Sequence, residues 1–368
     1  MSVHVRKRTA GQLAYEVLWR DPAGKQRCQT FGTHREADAR DREIKDLRKR
    51  GRYDAVDAGT EPLREAVERW WTDHVESSVT VNTAKAYATC VDRHLLPRLG
   101  DVAIRDIQPA QVVALQRDLR EDGVGAAISQ KTLMVLSGVM RHSQLLGRIP
   151  SNPVQPVKIR QATRQRAIRP ISPALVEQIR AYALERGWER DATLFCTLAY
   201  AGLRPGEAFA LRWECVGRNT LLIEHGRADG ALKATKTNRV RTVRLFAPLA
   251  EDLATWRQSA TDPDGLVFPR ANGEVFRDAD YGNWRTRQFD PAAAAAGIPD
   301  ATPYALRHSF ASLLVQAGWN ALEISAEMGN SPEVVQRDYS HIFREFARGE
   351  RIEPEGVMRA ARVAAAAG

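Results

Sequence analysis

Arg204 is the strong cation of AGLRPGEAFAL (residues 201–211), where it sits between a Gly-Leu and a Pro-Gly. The apolar run Leu194–Ala201 leads into it, so the guanidinium falls where one buried helix ends and the next begins. Arginine is seldom buried without a partner. Two chemistries can satisfy it: an ion pair with Glu207, or a ligand that the side chain is held to receive. A second arginine repeats the situation. In PYALRHSFASLL (303–314), Tyr304, Arg307 and His308 fall at i, i+3 and i+4 and share one helix face. Leu306, Phe310, Leu313 and Leu314 form the apolar opposite face, which puts Arg307 at the edge of a buried helix. Further on, GNSPEVVQRDYSHI (329–342) starts a helix at Ser331-Pro332 and carries Tyr339 and His341 near its end. Lys236, with Lys233 as competitor, lies in a strand-rich patch between the two arginines. The inventory is two semi-buried arginines, a hairpin lysine and a late tyrosine.

These side chains need elements to hold them. Ser172-Pro173 opens a helix, with Ser as cap and Pro at the first position. Pro205 and Glu207 similarly fix the turn after Arg204. Three strands follow, over Thr220–His225, Ala231–Thr237 and Arg239–Leu245, with Asn238 at the second bend; the pattern is then helical to the end. Upstream, residues 61–152 show helical spacing, as in Leu63, Ala66, Val67, Trp70 and Val75, punctuated by loops such as 96–101. Residues 1–58 read as a small three-stranded sheet plus helix. Leu13–Arg20 and Arg27–Phe31 pair across Asp21–Lys25, and Thr33 with Glu36 forms a capping box. The expected fold class is therefore mainly α with small β-sheets (α+β), in units 1–58, 61–152 and 171–368 joined by a linker over 153–170.

The chain has 368 residues, a net charge of +9 and 43% hydrophobic residues, enough for two or three cored domains. A pI of about 9.6 points to a polyanion partner, nucleic acid before acidic membrane. Between Gly123 and Val176 there is no Asp or Glu, while Lys131, Arg141, Arg148, Lys158, Arg160, Arg164, Arg166 and Arg169 all fall there. A Pro-rich linker this one-sided in charge suits DNA passing between two domains, and the last four arginines are the expected DNA contacts. Arg6, Lys7, Arg8, Arg20, Lys25 and Arg27 on the first strands suit either a solvated surface or a β-ribbon laid in a groove. Cys28, Cys90, Cys196 and Cys215 are scattered without a CxxC pair, which disfavours structural zinc or disulfides and fits a reducing cytoplasm. No apolar run is long enough to span a bilayer, and the N-terminus lacks the apolar core of a signal peptide.

In this order and at these spacings, AGLRPGEAFAL, the strands with a lysine at their second bend, LRHSFAS and GNSPEVVQRDYSHI resemble the tyrosine recombinases, and within them the integrases of phages and mobile elements. The resemblance covers nearly the whole chain. Residues 1–58 look like an arm-site DNA-binding domain, and the stretch with HLLPRLG (94–100) like a core-site-binding helical domain. It implies site-specific cleavage and rejoining of DNA by a homotetramer on double-stranded DNA, with accessory bending or directionality proteins. Arg204 and Arg307 would clamp a phosphate bidentately. Tyr339 would attack phosphorus to give a 3′-phosphotyrosyl link. Lys236 would protonate the leaving 5′-oxygen. Glu207 and His308 would support. The bond energy is kept in the phosphotyrosine, so no cofactor, ATP or metal is implied. The C-terminal helix would pack on a neighbouring subunit.

Two positions depart from the family pattern. Tyr304 stands where a histidine is usual, and Asn330 where a histidine or tryptophan is usual. Both can hydrogen-bond a phosphate oxygen, but neither can act as a near-neutral base. They leave open a DNA-binding protein of the same fold with weakened or lost catalysis. A monomeric topoisomerase using the same chemistry fits less well with the N-terminal hairpin unit.

Overall fold

A computed structural model describes residues 3–7, 13–20, 25–50, 58–159, 170–228, 230–234, 240–346 and 351–367. Two compact units emerge, Met1–Gln165 and Arg166–Gly368.

In the first unit, β1 (Val3–Lys7), β2 (Leu13–Arg20) and β3 (Gln26–Phe31) form an antiparallel sheet in that order. The helix His34–Lys49 follows, with the Thr33–Glu36 capping box in place. So small a sheet cannot bury enough by itself. Its core is Val17 and Trp19 of β2 against Ala37 and Ile44 of the helix. Arg20, Lys25 and Arg27 remain on the exposed surface.

A helical bundle occupies the rest of that unit, over residues 63–78, 81–99, 109–121 and 126–145. Leu63, Trp70, Leu95, Leu115, Leu133 and Met140 are among its buried side chains. The loop expected from residue 96 begins later, because the helix continues to Leu99 despite Pro97. Proline removes a helical N–H and crowds the preceding turn. The chain widens to a π turn over Val91–Leu95, and Arg98 Nη1 donates to the His94 carbonyl at 3.1 Å. Arg148, one cation of the acid-free stretch, grips Glu61 bidentately, with both contacts at 2.7 Å. Lys131, Arg141 and Lys158 of that stretch are exposed. Arg160, Arg164, Arg166 and Arg169 lie outside the described residues.

The second unit is built on the helix Glu189–Tyr200, buried from Asp191 onward and packed against Pro173–Leu184 and Pro303–Gln316. Four short strands replace the three expected: β4 (Thr220–Ile223), β5 (His225–Ala228), β6 (Ala231–Ala234) and β7 (Arg241–Arg244). The chain changes partner at Glu224. Ile223 still pairs with Arg241, whereas His225 pairs with Ala234, so one expected strand becomes two. Lys236 falls among residues 235–239, outside the described residues. The helix Pro332–Phe346 carries Tyr339 at its middle rather than near its end. The last helix, Pro354–Ala367, docks on its own unit and buries Met358 against it. Among the described residues no helix is long and apolar enough to cross a membrane.

Candidate active site

Three arginines converge on one carboxylate. Glu207, 3% exposed, receives Arg204 Nη1 at 2.7 Å and the Arg204 backbone N–H at 2.9 Å. Arg241 of β7 grips the same carboxylate with Nη1 at 3.1 Å and Nη2 at 2.7 Å. Arg307 Nη1 lies 3.8 Å from it. Burial alone would raise the Glu207 pKa. The hydrogen bonds and charge of Arg241, then the charges of Arg307 and Arg204, outweigh that and bring it down to about 2.

The surplus cations are held by a helix end. A helix leaves its last carbonyls without intrahelical partners and carries partial negative charge there. The helix Ala321–Met328 ends at Gly329 in the left-handed conformation, and its terminal carbonyls take one arginine each. The Glu327 carbonyl accepts from Arg241 Nε at 2.9 Å, that of Met328 from Arg307 Nη2 at 2.5 Å, and that of Gly329 from Arg204 Nη2 at 3.0 Å. Arg307 Nη1 also donates to the Gly202 carbonyl. Gly202 has φ +61°, and a Cβ there would meet the Phe310 ring at 2.2 Å, so a side chain would displace the carbonyl that orients Arg307. Arg307 is 4% exposed, and burial followed by the Arg204 charge lowers its pKa to about 9, which keeps it cationic at neutral pH.

Asn330 completes the ring. Its Oδ1 accepts from Arg204 Nη2 at 2.8 Å and from Arg307 Nη2 at 3.2 Å. Beside this cluster, Tyr339 is 1% exposed, and its phenol oxygen shares a 2.5 Å hydrogen bond with His308 Nδ1. Arg204, Glu207, Arg307, His308, Asn330 and Tyr339 are therefore brought together. Tyr304 is not: it is 49% exposed at the first turn of its helix. Two guanidiniums sharing one oxygen beside a phenol is a geometry suited to a tetrahedral oxyanion and a nucleophile.

The phage integrase family matches residues 171–345, and the N-terminal SAM-like domain of phage integrases matches residues 63–120; together these take in more than half of the chain. The chain belongs to this family of tyrosine recombinases. The recombinase is similar to the tyrosine recombinase XerC of Methylobacterium sp. (strain 4-46), at 29% identity over 308 residues, which is 77% of this chain and 91% of that protein. Its fold is similar to that of the Tn1549 transposon integrase in complex with a circular intermediate DNA, with a TM-score of 0.68, 16% identity, and coverage of 78% of this chain and 98% of that one. It is also similar to that of a lambda integrase tetramer bound to a Holliday junction, with a TM-score of 0.59, 15% identity, and coverage of 89% and 95%.

Arg241 is the residue that reading the sequence missed in this recombinase. A usable signal was present. Side chains alternate along a strand, and Arg241 shares the parity of Val243 and Leu245, both buried. An arginine on the inward face of a strand needs a partner, and Glu207 is the one it finds.

Proposed function

We propose that this recombinase cuts and rejoins DNA at specific sites by attack of Tyr339 on a phosphodiester held between Arg204 and Arg307, and so integrates or excises a mobile element. The observation that carries this reading is the shared oxygen between the two guanidiniums, next to the Tyr339–His308 pair. The phenol oxygen forms a bond to phosphorus as the bond to the 5′-oxygen breaks, leaving a 3′-phosphotyrosyl link and a 5′-hydroxyl. A neutral His308 accepting at Nδ1 is placed to take the phenol proton. The leaving oxygen receives its proton from Lys236, a role that rests on its place in the chain between β6 and β7. Both arginines face negative charge that grows on the nonbridging oxygens, where rigid donors are most effective. The buried phenol must meet the phosphate once DNA is bound.

The bundle would grip the core site, with the exposed Lys131, Arg141 and Lys158 as phosphate contacts, and the N-terminal sheet would hold arm sites through Arg20 and Arg27. The basic linker with Arg160, Arg164, Arg166 and Arg169 would follow the DNA from the bundle to the unit that carries Tyr339. The assembly would be a homotetramer acting on cytoplasmic, nucleoid DNA, with direction set by accessory DNA-bending proteins. Likeness to the lambda integrase tetramer supports that assembly. The family match does not favour a catalytically silent relative.

The test is covalent trapping on a nicked duplex taken from the element's end junction, where the cleaved fragment can diffuse away. A denaturant-resistant protein–DNA band is expected in the wild type and absent in Tyr339→Phe. A band that persists in Tyr339→Phe would assign the wrong nucleophile, and binding without any band would favour the silent relative.

A further inference from the structure

Asn330 sits where the resemblance expects a donor to the phosphate, yet its contacts have the opposite sense. Two guanidinium N–H groups point at one atom of its amide, at 2.8 and 3.2 Å. Arginine has no acceptor, so that atom must be the oxygen; turning the amide over would set NH2 against two cations. Arg204 Nη2 and Arg307 Nη2 each spend one hydrogen on a backbone carbonyl, of Gly329 and Met328 respectively. The remaining hydrogen of each points at Asn330 Oδ1. These two are the hydrogens through which the clamp can bridge a single oxygen, and Asn330 already fills the bridging place.

From this we infer that Asn330 is a built-in placeholder for the phosphate: its amide oxygen holds the two guanidiniums at bridging distance when DNA is absent, and a nonbridging phosphate oxygen displaces it. The inference rests on the phosphate-clamp reading of Arg204 and Arg307. Several features suit it. The backbone carbonyls fix the guanidiniums without filling the shared position. The cluster has three arginines to one carboxylate, which leaves it short of negative charge. A phosphate oxygen is a stronger, charge-assisted acceptor than a neutral amide. Asn330 is only half-buried and follows Gly329, so its side chain has room to swing aside while the Asn330 backbone N–H stays on the Ser325 carbonyl at 3.2 Å. Asn330 is thus a positioning residue that competes with substrate.

The sign of one substitution separates the two senses. The full chain is titrated with inorganic phosphate at constant ionic strength, with binding read by phosphorus NMR line width. Asn330→Ala is expected to bind phosphate roughly five- to tenfold more tightly than the wild type, the worth of about one net hydrogen bond. Asn330→Asp, which keeps both arginine contacts and makes them charge-assisted, is expected to bind at least about tenfold more weakly and to melt at a higher temperature. Weaker or equal binding by Asn330→Ala, or no binding by either protein, overturns the placeholder. Should Asn330→Ala fail to fold, Asn330→Asp decides alone, and phosphate affinity at or above that of the wild type overturns the inference. Repeating the titration with Arg307→Ala added to each variant tests the underlying reading separately. Phosphate binding that ignores this change lies elsewhere and removes the clamp itself, whereas Arg307-dependent binding that weakens in Asn330→Ala removes only the placeholder.

Discussion

Two buried clusters of arginine and carboxylate lie in the same unit, and they are opposites. Around Glu207, Arg204, Arg241 and Arg307 crowd one acid. Under the C-terminal helix, Arg180 and Arg362 meet Glu177 and Asp252, charge for charge. Arg362 Nη2 reaches Asp252 Oδ2 at 2.5 Å, its Nε reaches Glu177 Oε1 at 3.3 Å, and Arg180 Nη2 reaches Asp252 Oδ1 at 2.7 Å. Tyr200 adds a hydroxyl to Glu177 at 2.8 Å. The pKa directions reverse between the clusters. Burial and excess positive charge lower Arg307 and, against burial, lower Glu207. In the balanced cluster burial keeps Glu177 raised, and Arg362 ends raised because its acid partners outweigh burial. A balanced buried cluster is a seam that pins the last helix to its own unit. A cluster two charges over balance is one whose charge an anion would offset.

The largest effect should come from the unbalanced side. Arg204→Lys keeps the charge but loses the planar fork that donates to Glu207, Gly329 and Asn330 at once. Single-turnover cleavage is expected to fall by ~10²–10³, as for the loss of one oxyanion donor. The urea midpoint should move little, since Arg241 still holds Glu207. Cleavage within tenfold of the wild type would break the contrast, because charge excess would then not mark the reacting site.

Arg362→Ala attacks the balanced side. It leaves Glu177 and Asp252 to share Arg180 and frees the Pro248 carbonyl, which Arg362 Nη1 holds at 2.9 Å. Breaking a buried pair from one side costs about 3–5 kcal/mol. A large drop in urea midpoint is expected, with trapping on a nicked single site retained by the molecules that remain folded. Loss of trapping without loss of stability would mean that the seam serves the chemistry directly.

What could be read from the chain follows the range of the interactions. Arg204, Glu207, Arg307 and Tyr339 lie in local patterns of glycine, proline and helical spacing, and their order along the chain carries the family resemblance. The mainly helical fold with small sheets was legible for the same reason. The switch at Glu224 was not, since a strand's partner is chosen by distant residues and alternation looks the same on both sides of the switch. The Glu177–Arg362 contact joins residues 185 positions apart, and neither sits in a distinctive motif. Arg241 was legible in principle by its parity with Val243 and Leu245. Asn330 falls beside Arg204 and Arg307, but its hydrogen-bond sense depends on where those two side chains end.

The smallest and sharpest test compares the two glutamates by pH. The folded pKa of Glu207 is depressed from 4.5 to about 2. Its contribution is therefore complete above pH 4.5 and is lost as pH falls towards 2. At about 1.4 kcal/mol per unit this amounts to roughly 3 kcal/mol, which Glu207→Gln should forfeit at neutral pH. The folded pKa of Glu177 is raised above 4.5, so its native form binds the extra proton. It contributes most at low pH and loses that contribution as pH rises from 4.5 through its folded value. Glu177→Gln keeps an oxygen for the Tyr200 hydroxyl and removes a charge that burial disfavours, so its effect at neutral pH should be much smaller than that of Glu207→Gln. Urea midpoints of the three proteins measured from pH 7 down to 3 should give difference curves of opposite slope. Parallel curves would mean that both carboxylates are held mainly by their arginines and that charge balance does not distinguish the two clusters.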